Sequence, residues 1–452
     1  MSLPPPAYNN NPKSFAYPTV RTRWPTIFKG AISELQEHAT LVPASKDCAE
    51  AVIAKIQTLL EALESDAAIQ PFSDADVATY PFLRVFNEQL VQYSRDKAVS
   101  WHNAPWLWSE CYMYQLLNLW FQQTQQLGLF DVFGRLKNHA FQQSSFGVLE
   151  LCKRYEVLGK QLAAGSADKD AHRLLFVEFA VISLWGNASD LSLFAGNVTL
   201  EDIKSMQGAK VRKKNEEKIL VNDIEEAWRR IEGCQGARVD FVLDNSGFEL
   251  FSDLCMSLFM LDSGLAKIIV LHCKEMPWFV SDNMPKDFDA LLQQLEDPAF
   301  FSDIRKEPAD RQSIQYVVAR LKHYVSSGQI STQHHPFWTS CEAFWSIPHV
   351  SNLYIELKKS DLIIFKGDLN YRKLTADLDW DPTTPFTNAI QELASLQLPI
   401  LALRTCKSDV VVGLPAGVNE ELIKTYKEMG NEIGELWRAS GKWAVISFSP
   451  GN

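Results

Sequence analysis

The chain has 452 residues, of which 46% are hydrophobic and 22% charged, as is typical of a soluble globular protein with room for two or three domains. Its formal net charge of -11 argues against a general nucleic-acid binder, because phosphate backbones favour clustered Lys and Arg. One local basic run, residues 210–214, is followed at once by Glu216 and Glu217, and we interpret it as a solvated loop.

The N-terminal segment, residues 1–17, is predicted to be a flexible arm. It contains no charged stretch followed by an apolar one, so it does not resemble a signal peptide. No apolar run approaches the roughly 18 residues that a membrane span needs. Eight scattered cysteines without a Cys-x-x-Cys pair favour free thiols. We therefore expect a protein of the cytoplasm or also the nucleus, with no membrane, nucleic-acid or obligate protein partner.

Residues 18–200 carry helical patterns with little strand signal, which predicts an N-terminal helical domain. Helices are expected at 51–64, 85–93, 106–121 and 170–187. Gly186 is expected to end the last of these with a positive φ. Glu110 stands inside the strongly apolar stretch 106–121, so it is either a solvent-facing residue or a buried, paired, functional one.

The pattern changes in the second half of the chain, residues 220–452. Apolar strands are predicted at 239–243, 266–273, 362–365, 400–403 and 443–448. Helical patterns alternate with them at 249–261, 288–295, 312–325 and 389–396. Apolar strands separated by helices indicate a parallel sheet covered on both faces. The predicted fold class is α/β, with a Rossmann-like three-layer αβα core and a mainly parallel sheet.

Polar residues follow four of these strands. In chain order they are Asp244 and Asn245, then Asp282, then residues 366–372, then Arg404 and Lys407. Because the carboxyl ends of parallel strands meet at one rim, these groups are expected to converge. Carboxylate and amide oxygens suit Mg²⁺ or Mn²⁺, whereas zinc prefers His and Cys. Lys and Arg beside such an ion favour phosphate oxygens, so the sequence predicts a metal and phosphate site.

Each part of this site also fits a simpler structural role. Asp244 and Asn245 fit a turn, and Gly367 with Asp368 fits a β-turn. Residues 246–249 match a capping box, so Glu249 is either a helix cap or a site residue. Dinucleotide, Walker A, zinc-protease and esterase motifs are absent from the sequence.

Several strings resemble the damage-control phosphatase family, in the sugar-phosphate subgroup that is also described as protein-glutamate methyltransferase-like. They are Val-Leu-Asp-Asn-Ser-Gly-Phe-Glu-Leu (242–250), Met-Pro-Trp-Phe-Val-Ser-Asp (276–282), Phe-Lys-Gly-Asp-Leu-Asn-Tyr-Arg-Lys-Leu (365–374) and Arg-Thr-Cys-Lys (404–407). Residues 106–114 and 183–187 resemble the same subgroup. The ten-residue string around Gly367 is the most specific.

The resemblance implies one divalent metal, Mn²⁺ or Mg²⁺ with Co²⁺ or Ni²⁺ as alternatives, and metal ligands at Asp244, Asn245 and Asp282. The catalytic residues are expected to be these three together with Lys407. The resemblance implies substrate contacts at Glu249, Gly367, Asp368, Asn370, Tyr371 and Lys407, with Arg404 close by. We add Lys366, Leu369 and Glu110 to the predicted substrate contacts.

The leading hypothesis is metal-dependent hydrolysis of phosphate monoesters, with sugar phosphates such as fructose 1-phosphate or fructose 6-phosphate as substrates. Two alternatives are an S-adenosylmethionine-dependent protein carboxyl methyltransferase and a non-catalytic sugar-phosphate sensor. Asp377-Leu378-Asp379 has the spacing of a phosphatase nucleophile but follows no apolar strand. Direct attack by water is therefore favoured over a phosphoenzyme.

Overall fold

The structure is a computed structural model that describes residues 3–165, 168–186, 216–234 and 236–452. A seven-stranded sheet organises the C-terminal half. Its strands are β1 (Ile219–Asn222), β2 (Ala237–Val242), β3 (Ala266–Cys273), β4 (Ile330–His334), β5 (Leu362–Lys366), β6 (Ile400–Thr405) and β7 (Ala444–Ser449). Their order is β1-β7-β6-β5-β2-β3-β4, and β7 runs antiparallel to β6 while the other neighbours pair in parallel. The predicted α/β fold with a mainly parallel sheet is confirmed.

Five of the seven strands match predicted ones, and the two that were missed, β1 and β4, lie at the two edges of the sheet. Only Ile219 in β1 and Ile330 in β4 are buried. An edge strand pairs on one side and is less enclosed, so its sequence has no need of the continuous apolar run that marks the central strands.

Helices surround the sheet and fill the N-terminal half. Those before the sheet are Ala16–Pro18, Trp24–Leu41, Lys46–Glu64, Asp74–Thr79, Arg84–Tyr93, Trp106–Gln122, Gly134–Gln143, Ser145–Ala163 and Lys169–Trp185. Those that alternate with the strands are Ile224–Glu232, Phe248–Asp262, Pro285–Glu296, Pro308–Ser326, Ser351–Leu357, Gly367–Leu374, Phe386–Ala389 and Val418–Glu428. Within the described residues, no helix is long and apolar enough to cross a membrane.

Two details of the helix predictions are wrong. No helix spans 389–396: a four-residue helix ends at Ala389, and a 3-10 turn, Gln391–Ser395, follows it and begins at a residue with φ +53°. Gly186 ends its helix in the ordinary right-handed region, at φ -56°. The end of the predicted segment 170–187 and the basic run 210–214 lie outside the described residues.

The hydrophobic packing does not follow a division near residue 200. Helices Ser145–Ala163 and Lys169–Trp185 share a core with β2, β3 and Phe248–Asp262 on one face of the sheet. A second cluster covers the other face. The earlier helices form a third cluster, which reaches the α/β half through Met276, Trp278 and Leu369. The domain boundaries remain predictions.

The N-terminal segment is docked, which is at odds with a flexible arm. The backbone N–H of Ala7 donates to the carbonyl of Asp377 at 3.0 Å, and the N–H of Asp379 donates to the carbonyl of Pro5 at 2.8 Å. On the other side, the N–H of Trp106 donates to the carbonyl of Ala7 at 2.8 Å. The arm therefore bridges the N-terminal helices and the turn that follows helix Gly367–Leu374.

Close helix packing accounts for a glycine at position 186. A Cβ there would lie 2.4 Å from Oγ of Ser252 and 3.1 Å from Cα of Glu249. We predict that Gly186→Ala lowers the free energy of unfolding by roughly 1–3 kcal/mol, because backbone and side chain must move apart. The control is Gly30→Ala in the exposed middle of helix Trp24–Leu41, where nothing lies within 4 Å. It should stabilise the protein by about 0.5–1 kcal/mol. Denaturant unfolding measures both, and equal changes would contradict the packing argument.

Candidate active site

The turn between β2 and helix Phe248–Asp262 brings a carboxylate, an amide and a second carboxylate together. The Nδ2 group of Asn245 donates to Oδ2 of Asp244 and to Oε2 of Glu249, both at 2.8 Å. The helix is capped by Gly247 at φ +73°, without a side-chain cap hydrogen bond. Both carboxylate oxygens of Glu249 are engaged, Oε2 by Asn245 and Oε1 by Lys366, so the contacts of its side chain are those of a member of the polar cluster and not of a helix cap.

Asp282 joins this cluster from the loop after β3. Asn245 and Asp282 form an isolated antiparallel bridge, and the N–H of Asn283 donates to the carbonyl of Asp244 at 2.8 Å. Oγ of Ser281 donates to Oδ1 of Asn245. The predicted convergence of the residues after β2 and β3 is therefore present in the fold.

Buried negative charge dominates this cluster. Burial raises the pKa of Asp244 well above its ordinary value, and the charges of Glu249 and Asp282 raise it further. Burial also raises the pKa of Asp282 to about 6, even though Lys274 acts in the opposite direction. Like charges held together out of water are stabilised by a cation among them.

The residues present fit a divalent metal ion in donor chemistry, since two carboxylates and an amide supply hard oxygen ligands. Among the described residues, no group of three or more His, Cys, Asp or Glu side chains is arranged to hold a metal. The predicted set contains only two such residues, because its third member is Asn245. The amide nitrogen of Asn245 faces both carboxylates, so ligation through its oxygen requires the side-chain amide to turn over.

Gly367 closes the cluster from the side of β5. It begins helix Gly367–Leu374 with φ +80°, a conformation that disfavours any residue with a Cβ. A Cβ at this position would lie 1.9 Å from Oδ2 of Asp244. The start of the helix therefore rests directly on the carboxylate, and the position requires glycine for two independent reasons.

Asp368 connects this helix to the loop after β6. Its Oδ1 accepts from Nε of Arg404 at 2.8 Å and from the backbone N–H of Lys407 at 3.0 Å. Burial alone would raise the pKa of Asp368, but Arg404, Arg372 and the Lys407 amide bring it below its ordinary value. Asp368 is therefore an anion that fixes the position of Lys407 beside the cluster.

Arg404 is fully buried and holds the loop after β6 in place. Its guanidinium donates to the carbonyls of Val410 and Ser408 at 2.6 and 3.1 Å and lies 4.5 Å from the ring centroid of Tyr371. With the Asp368 bond these contacts engage all three nitrogens of the guanidinium. Its geometry therefore favours a supporting role over a phosphate contact.

Lys366, predicted as a substrate contact, is buried and its ammonium is engaged within the protein. It donates to the carbonyl of Ser183 at 2.8 Å and to Oε1 of Glu249 at 3.2 Å, and it forms an ion pair with Oδ1 of Asp253 at 2.9 Å. A lysine has three donors, so none is left for a phosphate in this arrangement. Lys366 instead balances the charge of Glu249 and holds it in place.

Asn370, Tyr371 and Leu369 point largely into the protein. The Nδ2 group of Asn370 donates to the carbonyls of Val242 and Leu243, both at 3.1 Å, while its buried Oδ1 has no hydrogen-bond partner in the described part of the chain. The hydroxyl of Tyr371 accepts from a loop N–H, and Leu369 packs among the N-terminal helices. These three residues tie the helix to β2 and its surroundings.

The sequence left two alternatives open for Glu110. The structure shows a buried, paired residue, so the solvent-facing alternative is wrong. Its carboxylate accepts from Nη1 of Arg372 at 2.7 Å and from Nε1 of Trp24 at 3.1 Å. Arg372 also pairs through two bonds with Asp377. Glu110 therefore anchors helix Gly367–Leu374 to the N-terminal helices, and Asp377, which follows that helix and not a strand, is held by Arg372.

Three charged residues of the site were not predicted: Lys274, Asp253 and Lys137. Lys274 immediately follows β3, so the strand-end argument applied to it as well. Asp253 lies one helical turn after Glu249 on the same face. Lys137 donates to the carbonyl of Asp282 at 2.9 Å, but a lone lysine in a helix carries no signal of that contact.

A family model described as the damage-control phosphatase ARMT1-like domain matches residues 19–422 of this chain. The chain belongs to this family. The resemblance seen in the sequence strings is thereby confirmed. Damage-control phosphatase ARMT1 of Danio rerio is 32% identical over 450 residues, which cover 96% of this chain and 95% of that protein. Its namesake from Homo sapiens is 32% identical over 454 residues, 96% of each chain.

A DUF89 family protein of known structure from Pyrococcus horikoshii matches 84% of this chain and 92% of its own, at 14% identity and a TM-score of 0.34. That score is too low to support a comparison of the two folds. The family assignment rests on the two sequence comparisons alone.

Gly367 offers a sharp test of the site geometry. We predict that Gly367→Ala abolishes phosphatase activity, because its Cβ would displace the Asp244 carboxylate. Gly430→Ala is the matched control, since Gly430 has a similar φ of +92° with nothing within 4 Å of the added Cβ. Both variants carry the backbone cost, so only Gly367→Ala should lose phosphatase activity, measured as phosphate release. Equal activity in the two variants would show that Gly367 does not border the reaction centre.

Proposed function

We propose that this protein is a metal-dependent phosphatase that hydrolyses small phosphorylated sugars, with fructose 1-phosphate and fructose 6-phosphate as the first candidates. Membership of the damage-control phosphatase family supports a phosphatase that acts on metabolites. The single observation that carries the proposal is the buried cluster of Asp244, Asn245, Glu249 and Asp282 at the ends of parallel strands, bordered by Gly367.

Asp244, Asn245 and Asp282 would hold the metal ion. A divalent metal supplies Lewis-acid polarisation of a phosphoryl oxygen and a more acidic bound water. Glu249 is positioned by Lys366 and by Asn245, so its carboxylate can accept a hydrogen bond from a substrate hydroxyl or from a water beside the cluster.

The phosphate group would lie between the start of helix Gly367–Leu374 and the loop of Lys407. A helix start presents backbone N–H groups and the positive end of the helix dipole to an anion. Lys407 adds a point charge, and Asp368 fixes its backbone.

Attack by water fits this chain better than an aspartyl-phosphate intermediate. Asp377 is bound bidentately by Arg372 and is nearly fully buried. Asp244 abuts Gly367 and shares its Oδ2 with the Asn245 amide. The groups that remain beside the cluster are suited to binding and orienting a water and an alcohol leaving group.

The test is an assay of phosphate release from a panel of sugar phosphates with Mn²⁺. We predict turnover of at least one ketose phosphate by the wild-type protein, and a loss of about 100-fold or more in kcat for Lys407→Met, which removes a charge facing the phosphoryl group. Lys442→Met, an exposed lysine before β7, is the control and should retain wild-type turnover.

Two outcomes would count against the proposal. Absence of phosphate release from the whole panel with Mn²⁺, Mg²⁺ or Co²⁺ would remove the sugar-phosphate assignment. Full turnover by Lys407→Met would exclude that lysine from the reaction while leaving the phosphatase activity in place.

A further inference from the structure

Lys274 is a buried lysine that contacts both loops that carry the Asp residues of the cluster, the loop after β2 and the loop after β3. It directly follows β3 and is 1% exposed. Its ammonium donates to the carbonyl of Leu243, the residue before Asp244, at 2.8 Å. Its backbone N–H donates to the carbonyl of Asn283, the residue after Asp282, at 2.8 Å.

The ammonium of Lys274 also faces the carboxylate of Asp282. Its Nζ lies 3.3 Å from Oδ2 of Asp282, within ion-pair distance. That oxygen is buried and has no directed hydrogen-bond partner in the described part of the chain. Lys274 therefore neutralises the charge of Asp282 without saturating its oxygen, which leaves Oδ2 available to a second positive partner.

The charges around the cluster are distributed unevenly. Glu249 has Lys366 at 3.2 Å and Asp282 has Lys274 at 3.3 Å, whereas Asp244 forms no ion pair among the described residues, accepts from the neutral amide of Asn245, and feels the charges of Lys274 and Lys407 only from farther away. A metal ion bound by Asp244 and Asp282 would lie close to the ammonium of Lys274. Two cations that share one buried carboxylate repel each other, and each lowers the affinity of the other.

We propose that Lys274 is a positioning residue that holds Asp282 in the cluster before metal binds and limits the affinity for the metal by charge competition. This inference rests on the metal site of the proposed function. It gives Lys274 two effects of opposite sign: the lysine stabilises the metal-free protein and weakens the binding of a divalent ion. A lysine that merely shaped the loop would strengthen metal binding.

The experiment measures Mn²⁺ affinity by calorimetry, and the thermal midpoint in EDTA, for Lys274→Met and Lys274→Gln. Both should bind Mn²⁺ about tenfold more tightly than wild type, because the substitution removes the competing charge. Both should also melt at a lower temperature in EDTA, because the buried carboxylate of Asp282 then lacks its compensating cation. Gln retains a donor for the Leu243 carbonyl, which keeps the test valid if the Met variant fails to fold. Lys274→Arg should restore wild-type values for both quantities.

Lys267→Met, at an exposed position of the same strand, is the control and should match wild type in both measurements. Unchanged or weaker Mn²⁺ binding by Lys274→Gln would overturn the proposed competition while leaving the metal site intact. Failure of the wild-type protein to bind Mn²⁺ would overturn the proposed metal site, and the inference about Lys274 with it.

Discussion

The structure depends on how it balances buried negative charge at the ends of its central strands. Asp244, Glu249 and Asp282 are 7%, 4% and 2% exposed and belong to one cluster. Removing a carboxylate from water costs several kcal/mol unless partners compensate for the lost hydration. Lys366 compensates in part at Glu249, and Lys274 does so at Asp282. A divalent ion would complete the balance, which is why the arrangement fits metal chemistry.

The remainder of the site holds this cluster beside the loop of Lys407 and the start of helix Gly367–Leu374. Asp368 joins the loop of Lys407 to the helix that starts at Gly367, and Arg404 supports that loop from within the core. Arg372 fastens the same helix to Glu110 in the N-terminal half. These are directed, charge-assisted contacts, which fix geometry more tightly than apolar packing does. The N-terminal helices thus contribute to the site as its frame.

The sequence predicted the structure well where a single physical requirement, such as burial on both faces of a strand, determined the type of residue. The central strands, apolar on both sides, could be located within two residues, and the shared direction of parallel strands then predicted that the polar residues after them would meet at one rim. The edge strand β4 carried too little burial to be seen. Glu110 could be placed inside an apolar helix, but its partner Arg372 lies 262 positions away, and such pairing has no local signal.

Roles were harder to predict than positions. Lys366 and Arg404 follow or end strands beside the cluster, as expected, yet their donors are engaged by carboxylates and carbonyls of the protein. A basic residue beside an acidic one looks the same in sequence whether it binds phosphate or neutralises a carboxylate. To tell the two roles apart, one must count the N–H donors of the basic residue that contacts within the protein leave unused. That count can be made only from the folded structure. Glu249 was decided in the same way, by its contacts with Asn245 and Lys366.

The central claim is that the strand-end cluster holds one catalytic divalent ion. The most direct measurement strips the wild-type protein with EDTA, removes the chelator, and follows phosphate release from fructose 1-phosphate while Mn²⁺ is added stepwise to a known concentration of protein. The account predicts no activity at the start, a linear rise, and saturation near one Mn²⁺ per chain. It also predicts that Asp282→Asn, which keeps the shape of the side chain and removes its charge, needs far more Mn²⁺ to recover activity. Full phosphate release from the stripped wild-type protein, with no response to added Mn²⁺, would contradict the account.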